Sequence, residues 1–215
     1  MAKKTMTASV EEMTDGQIDT LVDGLRAAAR KHRTEIPRDV GQEALGTPHL
    51  GMMMWAVYRK LVEELSKRIV HLVTVDRARS PLDALKACGR KLYVTESVAS
   101  TMPRGTGDKA KLVYFKPGPE CYNNGVISCA KLDAEYKKHG LVPDPQAQID
   151  DNTANPEFAD ETPNACQWVD KGNYCCATFN RWGGGRYVNV YRFDGDWLDG
   201  WSFAGVPQAS STSVL

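Results

Sequence analysis

The chain has 215 residues, of which 42% are hydrophobic and 25% charged, an ordinary globular composition with enough length for one large or two small domains. No apolar run nears the roughly eighteen residues of a membrane helix, and the opening MAKKTMTASVEEMTDG has no apolar stretch behind its lysines; neither a membrane partner nor a secretory leader is expected, and the compartment expected is the cytoplasm. Net charge is zero, but residues 1–111 hold 19 Lys and Arg against 14 Asp and Glu, while residues 112–215 hold 8 against 13. The halves are complementary, and the positive charge is too dispersed to point to a nucleic-acid partner.

Residues 1–12 read as frayed. Thr14 and Gln17 then have the spacing of a capping box, in which each side chain satisfies an orphan amide at a helix start. The helix it opens runs to about Lys31, with Ile18, Leu21, Val22, Leu25, Ala28 and Ala29 as its apolar stripe and a basic cluster, Arg30 to Arg33, at its C-terminus. Pro37 begins a second helix over 38–45, ended by Gly46. Thr47-Pro48 reads as the start of a long third helix to about Val73, with Leu50, Met54, Val57, Tyr58, Leu61, Val62, Leu65, Ile69 and Leu72 on one face. Met52, Met53, Met54 and Trp55 are expected as core filler, and His71 as structural. Ser80-Pro81 and Thr95 each start a short helix, to about Cys88 and Met102. The glycines of the stretch from Arg104 to Lys109 lack the spacing of a phosphate loop, so the stretch reads as a linker and marks a domain boundary.

Beyond it, Leu112 to Phe115 is a short strand, and Ser128 caps a helix to about Lys138. Residues 143–165 are rich in Asp, Asn and Pro and read as an irregular ordered loop anchored by Phe158. Four of the five tryptophans lie between Trp168 and Val206, where Gly-rich breaks separate runs of Tyr, Val, Phe and Trp, the pattern of short antiparallel strands. Alternation sends Cys175, Ala177 and Phe179 to one face and Cys176, Thr178, Asn180 and Trp182 to the other. Val188 and Val190 belong to the core. The opposite side of that strand carries Tyr187, Asn189, Tyr191 and Phe193, flat apolar area with hydrogen-bonding tips suited to recognition. The candidate ligand-binding residues are therefore Trp182, Tyr187, Asn189, Tyr191, Trp197 and Trp201.

Asp194, Asp196 and Asp199 crowd one turn, but their spacing is not that of a calcium loop, and no metal is assigned. Among Cys88, Cys121, Cys129, Cys166, Cys175 and Cys176 there is no Cys-x-x-Cys pair, so zinc is not signalled and reduced thiols are expected. No nucleophile elbow, zinc helix or dinucleotide loop is present; His32, His49, His71 and His139 are expected outside the aromatic sheet, and no cofactor is implied.

The stretches Val75 to Ser80, Gly140 to Pro143, Phe158-Ala159-Asp160, Pro163-Asn164, Val188 to Arg192, Asp196-Trp197 and Trp201 to Gly205 resemble a group of uncharacterised bacterial proteins from candidate-phylum genomes. The closing segment is also weakly similar to the end of C-type-lectin-like domains of the formylglycine-generating-enzyme type, although the Gly-Gly-Ser-Trp segment of that pattern is missing here. That second resemblance implies a ligand-facing surface.

The expectation is an α+β protein: a helical domain over 1–110, an α+β domain over 111–206 with a small antiparallel sheet, and a disordered tail over 207–215. Three functions compete. The leading one is a cytoplasmic binding module for a protein or small molecule on the aromatic face. The others are a metal- or thiol-dependent enzyme between the sheet and the 143–165 segment, and an assembly protein forming a homo-oligomer through the helix over 48–73.

Overall fold

A computed structural model of the chain describes residues 13–208. The expected frayed start at 1–12 and the tail beyond Gln208 lie outside the described residues. Two compact units divide at Arg59/Lys60, and each is taken by itself.

The first unit holds helices α1 (Asp15–Lys31) and α2 (Arg38–Leu45) and the start of α3 (Leu50–Ser66). The capping box forms: the Gln17 amide donates to the Thr14 hydroxyl at 3.3 Å, and the Thr14 amide donates to Gln17 Oε1 at 2.9 Å. No residue of α1 or α2 is buried, so the stripe of Ile18, Val22 and Leu25 is amphipathic without being core. Met52, Met53, Met54 and Trp55 are likewise exposed rather than core filler.

The second unit is α+β, but its sheet is large and mixed, and its helices are spread along the chain. The long helix stops at Ser66, and Ile69–Thr74 forms strand β1. Four of those six residues are β-branched, and such side chains lose χ1 freedom in a helix while packing well on a pleated surface. Helical periodicity at Ile69 and Leu72 was coincidental. Next come α4 (Pro81–Ala87), β2 (Lys91–Val94), α5 (Glu96–Ala99), β3 (Lys109–Phe115), β4 (Val126–Ser128), α6 (Cys129–Lys138) and β5 (Leu141–Val142). The chain ends with α7 (Pro145–Ala154), α8 (Phe158–Glu161), β6 (Asn164–Asp170), β7 (Asn173–Trp182), β8 (Gly185–Arg192), β9 (Asp196–Leu198) and β10 (Ser202–Pro207).

The main sheet has the order β1-β3-β10-β6-β7-β8-β2, with β5 paired to the far end of β10 and β4-β9 forming a separate two-stranded ribbon. Two pairings are parallel, β10 with β6 and β2 with β8. The last strand therefore does not close a local meander; it crosses back to lie between β3 and β6. Pro207 belongs to β10 and the Gln208 amide donates to the Gly140 carbonyl at 2.9 Å, so the chain is ordered past the expected start of its tail.

A domain boundary at 110 would cut through β3 and separate β1 and β2 from their sheet. The expected linker is a clasp instead: Arg104 donates to the carbonyls of Arg77 and Arg79, and Arg77 Nε donates to the Gly107 carbonyl at 3.0 Å. Gly105 passes so close to the Arg77–Asp144 pair that any Cβ there would overlap the Asp144 carboxylate.

The expected loop over 143–165 is α7 and α8, packed on the inner face of the sheet. Asp144 caps α7 by accepting from the Ala147 amide at 3.1 Å, and Pro145 fills the first helical position, where its missing amide costs nothing. Helices α4, α5, α7 and α8 contribute Leu85, Val98, Ile149 and Ala159 to a core with Trp168, Ala177, Phe179, Val188 and Val190. On the outer face, α6 and the β4–β9 ribbon bury Leu132, Tyr136, Ile127 and Trp197 against Val113, Phe115, Cys176 and Phe203. Among the described residues no helix is long and apolar enough to cross a membrane.

Arg77 binds Asp144 through both terminal nitrogens, at 2.8 and 2.6 Å, with the carboxylate almost wholly buried. Asp144→Ala would strand the guanidinium and remove the α7 cap; it should cost about 3 kcal/mol or more in chemical denaturation, whereas a surface change such as Lys171→Ala should stay within about 0.5 kcal/mol.

Candidate functional site

The outer face is covered unevenly. Over β3, β10 and β6 it lies beneath α6 and the ribbon, but at the β8–β2 edge the cover runs out. Register sets what is left there. Asn180 pairs with Tyr187, Thr178 with Asn189 and Cys176 with Tyr191, while on the other side Lys91 pairs with Tyr187 and Tyr93 with Asn189. Alternate residues share a face. Lys91, Tyr93, Tyr187, Asn189 and Tyr191 therefore stand together on the uncovered side, and Val188 and Val190, on the other side, are fully buried as the alternation requires.

Three of the six expected binding residues meet here. Tyr187 and Asn189 are half-buried, and Tyr191 is 37% exposed. Burial first, and then the neighbouring Cys176, pushes the Tyr191 phenol up to about 12, so it is a neutral donor at physiological pH. Asn189 Nδ2 donates to the Thr178 hydroxyl at 3.1 Å, which fixes its amide. Trp182, 81% exposed, stands opposite Gly185 at the hairpin end of the same face.

The two remaining tryptophans lie elsewhere. Trp197 is 2% exposed, its indole donates to Gln167 Oε1 at 2.8 Å, and its ring packs on Phe193, Trp201 and Phe203; it is core. Trp201 is half-buried against the same cluster. Sequence reading missed Tyr93, the most exposed aromatic of the row at 62%, 6.0 Å from the Tyr187 ring. Its signal was the alternating Lys-Leu-Tyr-Val, too short to stand out from the flanking helices.

A second polar cluster lies where α7 meets the sheet. Buried Asp151 accepts from His71 Nδ1 at 2.8 Å, from the Tyr114 hydroxyl at 2.6 Å and from Asn155 Nδ2 at 2.9 Å, and Phe158 packs on both rings. His71 is thus part of the main sheet, at its opposite edge, rather than outside it. A carboxylate orients an imidazole in this way in many general bases.

Among the described residues no three His, Cys, Asp or Glu side chains converge where a metal ion could be held. All six cysteines are free, and only Cys121 is not buried. Burial raises the Cys129 thiol to about 11 and the Cys176 thiol to about 12, so both are protonated at neutral pH and poor nucleophiles. Comparison with known proteins finds no matching family model, no similar curated protein and no similar solved structure.

Two outcomes follow from these placements. Trp197→Ala should cost about 3 to 5 kcal/mol in denaturant titrations, and Trp182→Ala about 0.5 kcal/mol or less. Mass spectrometry after brief iodoacetamide treatment of native protein at neutral pH should find at most Cys121 alkylated, against all six thiols after denaturation.

Proposed function

We propose that this chain is a binding module whose recognition face is the uncovered β8–β2 edge of the outer sheet face, with Tyr93, Tyr187, Asn189 and Tyr191 as contact residues and Trp182 at its rim. One observation carries the reading. Strand β8 is fully buried on one side at Val188 and Val190, while on the other side β8 and β2 together leave a row of aromatic rings and a fixed amide open. Rigid rings supply contact area at low entropic cost, and phenol and amide tips supply direction. A planar ligand group with hydrogen-bonding edges fits that chemistry, whether it belongs to a small molecule or to a protein partner.

The competing enzyme has less support. Five of the six thiols are buried, and Asp151 is engaged by His71 and Tyr114, which hold α7 to the sheet, and by Asn155 at the end of the helix. Pairing through the third helix loses the segment beyond Ser66, which is a strand in this fold. Six free cysteines suit a reducing cytoplasm.

Nicotinamide, a planar amide, is a suitable probe. Titrated into isotope-labelled full-length chain, it should shift the amide resonances of Tyr93, Tyr187, Asn189 and Tyr191 saturably, and Tyr187→Ala should weaken it about tenfold, the ~1.4 kcal/mol of one ring contact. Shifts that never saturate, or that map elsewhere, would remove the face from consideration. So would a loss of several kcal/mol of stability in Tyr93→Ala, because the ring would then be structural.

A further inference from the structure

Around the hairpin end of β7 and β8, where Arg181 and Arg186 on the inner side of the sheet come near Lys91 on the outer side, is an open cleft of about 380 Å³ lined by Gly89, Lys91, Arg181, Gly184 and Arg186. It sits where the start of β2 meets the β7–β8 turn. Three of its five lining residues are cations, and two of them, Arg181 and Arg186, hydrogen-bond the Asp160 carboxylate of α8. Arg186 gives that carboxylate its Nε and Nη2, at 3.0 and 2.7 Å, and Arg181 gives its Nη1 at 3.3 Å. A guanidinium has five N–H donors in a planar fork, so Asp160 orients both groups without exhausting either.

The surroundings keep the charge positive. Arg90, almost wholly buried, lies behind the cleft, donating to the Pro156 carbonyl at 2.8 Å and stacking on Phe179. Burial lowers its pKa, with Arg186 adding to that shift and Asp160 opposing it, so Arg90 is within electrostatic reach of the Arg186–Asp160 pair. Glu157 is the other carboxylate that Arg186 feels. The three cations that line the cleft outnumber the two carboxylates, Asp160 and Glu157, and buried Arg90 adds a positive charge within reach of Arg186. Gly184 has φ +81 and Gly89 φ +69, and open space surrounds the position of a Cβ at both, so backbone rather than side chain forms part of the wall. Lys91 Nζ lies 5.5 Å from the centre of the Tyr187 ring, so the cleft and the aromatic row share a border.

We propose that this cleft is a phosphate-binding site, and that the ligand of the aromatic face carries a phosphate monoester which Lys91, Arg181 and Arg186 receive. The charge decides between oxyanions: a phosphate monoester carries about −1.5 to −2 at neutral pH and offers three acceptor oxygens, against −1 and two for a carboxylate. Arginine forks match phosphate geometry with two parallel hydrogen bonds, and lysine adds a point charge. The pairing with the aromatic row rests on the reading of the face proposed above; the phosphate site itself does not.

Three probes separate these statements: inorganic phosphate, acetate and phenyl phosphate, each titrated into labelled full-length chain at low ionic strength. Phosphate should shift the resonances of Gly89, Lys91, Arg181, Gly184 and Arg186 saturably, and bind about tenfold more tightly than acetate. The Lys91→Gln, Arg181→Gln double variant should weaken phosphate at least about tenfold. Both positions are exposed, and an unchanged spectrum elsewhere verifies the fold. Arg181→Lys, keeping the charge without the fork, should retain part of the affinity. Phosphate shifts that do not saturate, that survive in the double variant, or that acetate matches at equal affinity would each overturn the phosphate site. Phenyl phosphate should bind more tightly than phosphate and also shift Tyr187. Equal affinity for the two, with the cleft shifts intact, would leave the phosphate site standing and sink its link to the aromatic face.

Discussion

The Asp151 carboxylate is buried with three donors around it, and most of this fold depends on that arrangement. One donor, His71, comes from the edge strand β1, one, Tyr114, from β3, and one, Asn155, from the end of α7 itself. A buried carboxylate without partners would be prohibitively unfavourable, so the bonds from His71 and Tyr114 fix the register of helix on sheet as well as its stability, and Asn155 completes the carboxylate's partners. The same logic runs along the helix. Asn152 and Gln148 meet Asn164 of β6 at 3.1 and 2.8 Å, and at its start Asp144 joins Arg77. Apolar contacts from Ala147 and Ile149 would tolerate sliding; amide and carboxylate pairs do not.

Fixing α7 on the inner face has a consequence for the outer one. With α4, α5, α7 and α8 on the inner side, the described residues of the second unit leave α6 and the β4–β9 ribbon to cover the outer side of seven strands in the main order. They bury the middle, around Phe115, Cys176 and Phe203. The β8–β2 edge is left bare in this unit, and the sequence there is suited to being bare: tyrosine and asparagine alternate along β8 with the buried Val188 and Val190. An edge strand would ordinarily invite further pairing. Here β2 is only four residues long and begins with a lysine that sits over Tyr187, features that limit strand addition.

Much of the local structure was written in the sequence. The capping box at Thr14, the serine caps at Ser80 and Ser128, and the alternation through β7 and β8 all rest on residues close in the chain, and their signals are local for that reason. What was hidden depends on partners far away. Helix α7 has no apolar stripe, because its buried side carries Gln146, Gln148, Asp151 and Asn152, whose burial is intelligible only once Tyr114, His71 and Asn164 are brought to them. By composition such a segment is a loop. Strand β1 was lost to an apolar run that suited helix and strand alike. The parallel pairing of β2 with β8 joins residues nearly a hundred positions apart, so Tyr93 could not be assigned to the face from its own neighbours. Trp197 shows the reverse error: a tryptophan near a candidate surface was counted as part of it, although an indole with one donor and one partner, Gln167, is satisfied in the interior.

The position of Asp160 connects the fold to the cleft. Its carboxylate is held below the usual range by the Arg186 hydrogen bonds, so it is charged at any physiological pH and cannot release the two arginines by protonation. Acidic Asp160 therefore acts as a permanent brace: it cancels one charge, keeps two flexible guanidinium groups in place, and lowers the entropy that a ligand must overcome to use them. Without it, Arg181 and Arg186, directly opposite each other in the β7–β8 register, would repel and spread. Two cations crowded at a hairpin end destabilise that turn unless something negative sits between them. One carboxylate meets the structural need and leaves an excess of positive charge, which is the condition under which a doubly charged anion is favoured over a singly charged one.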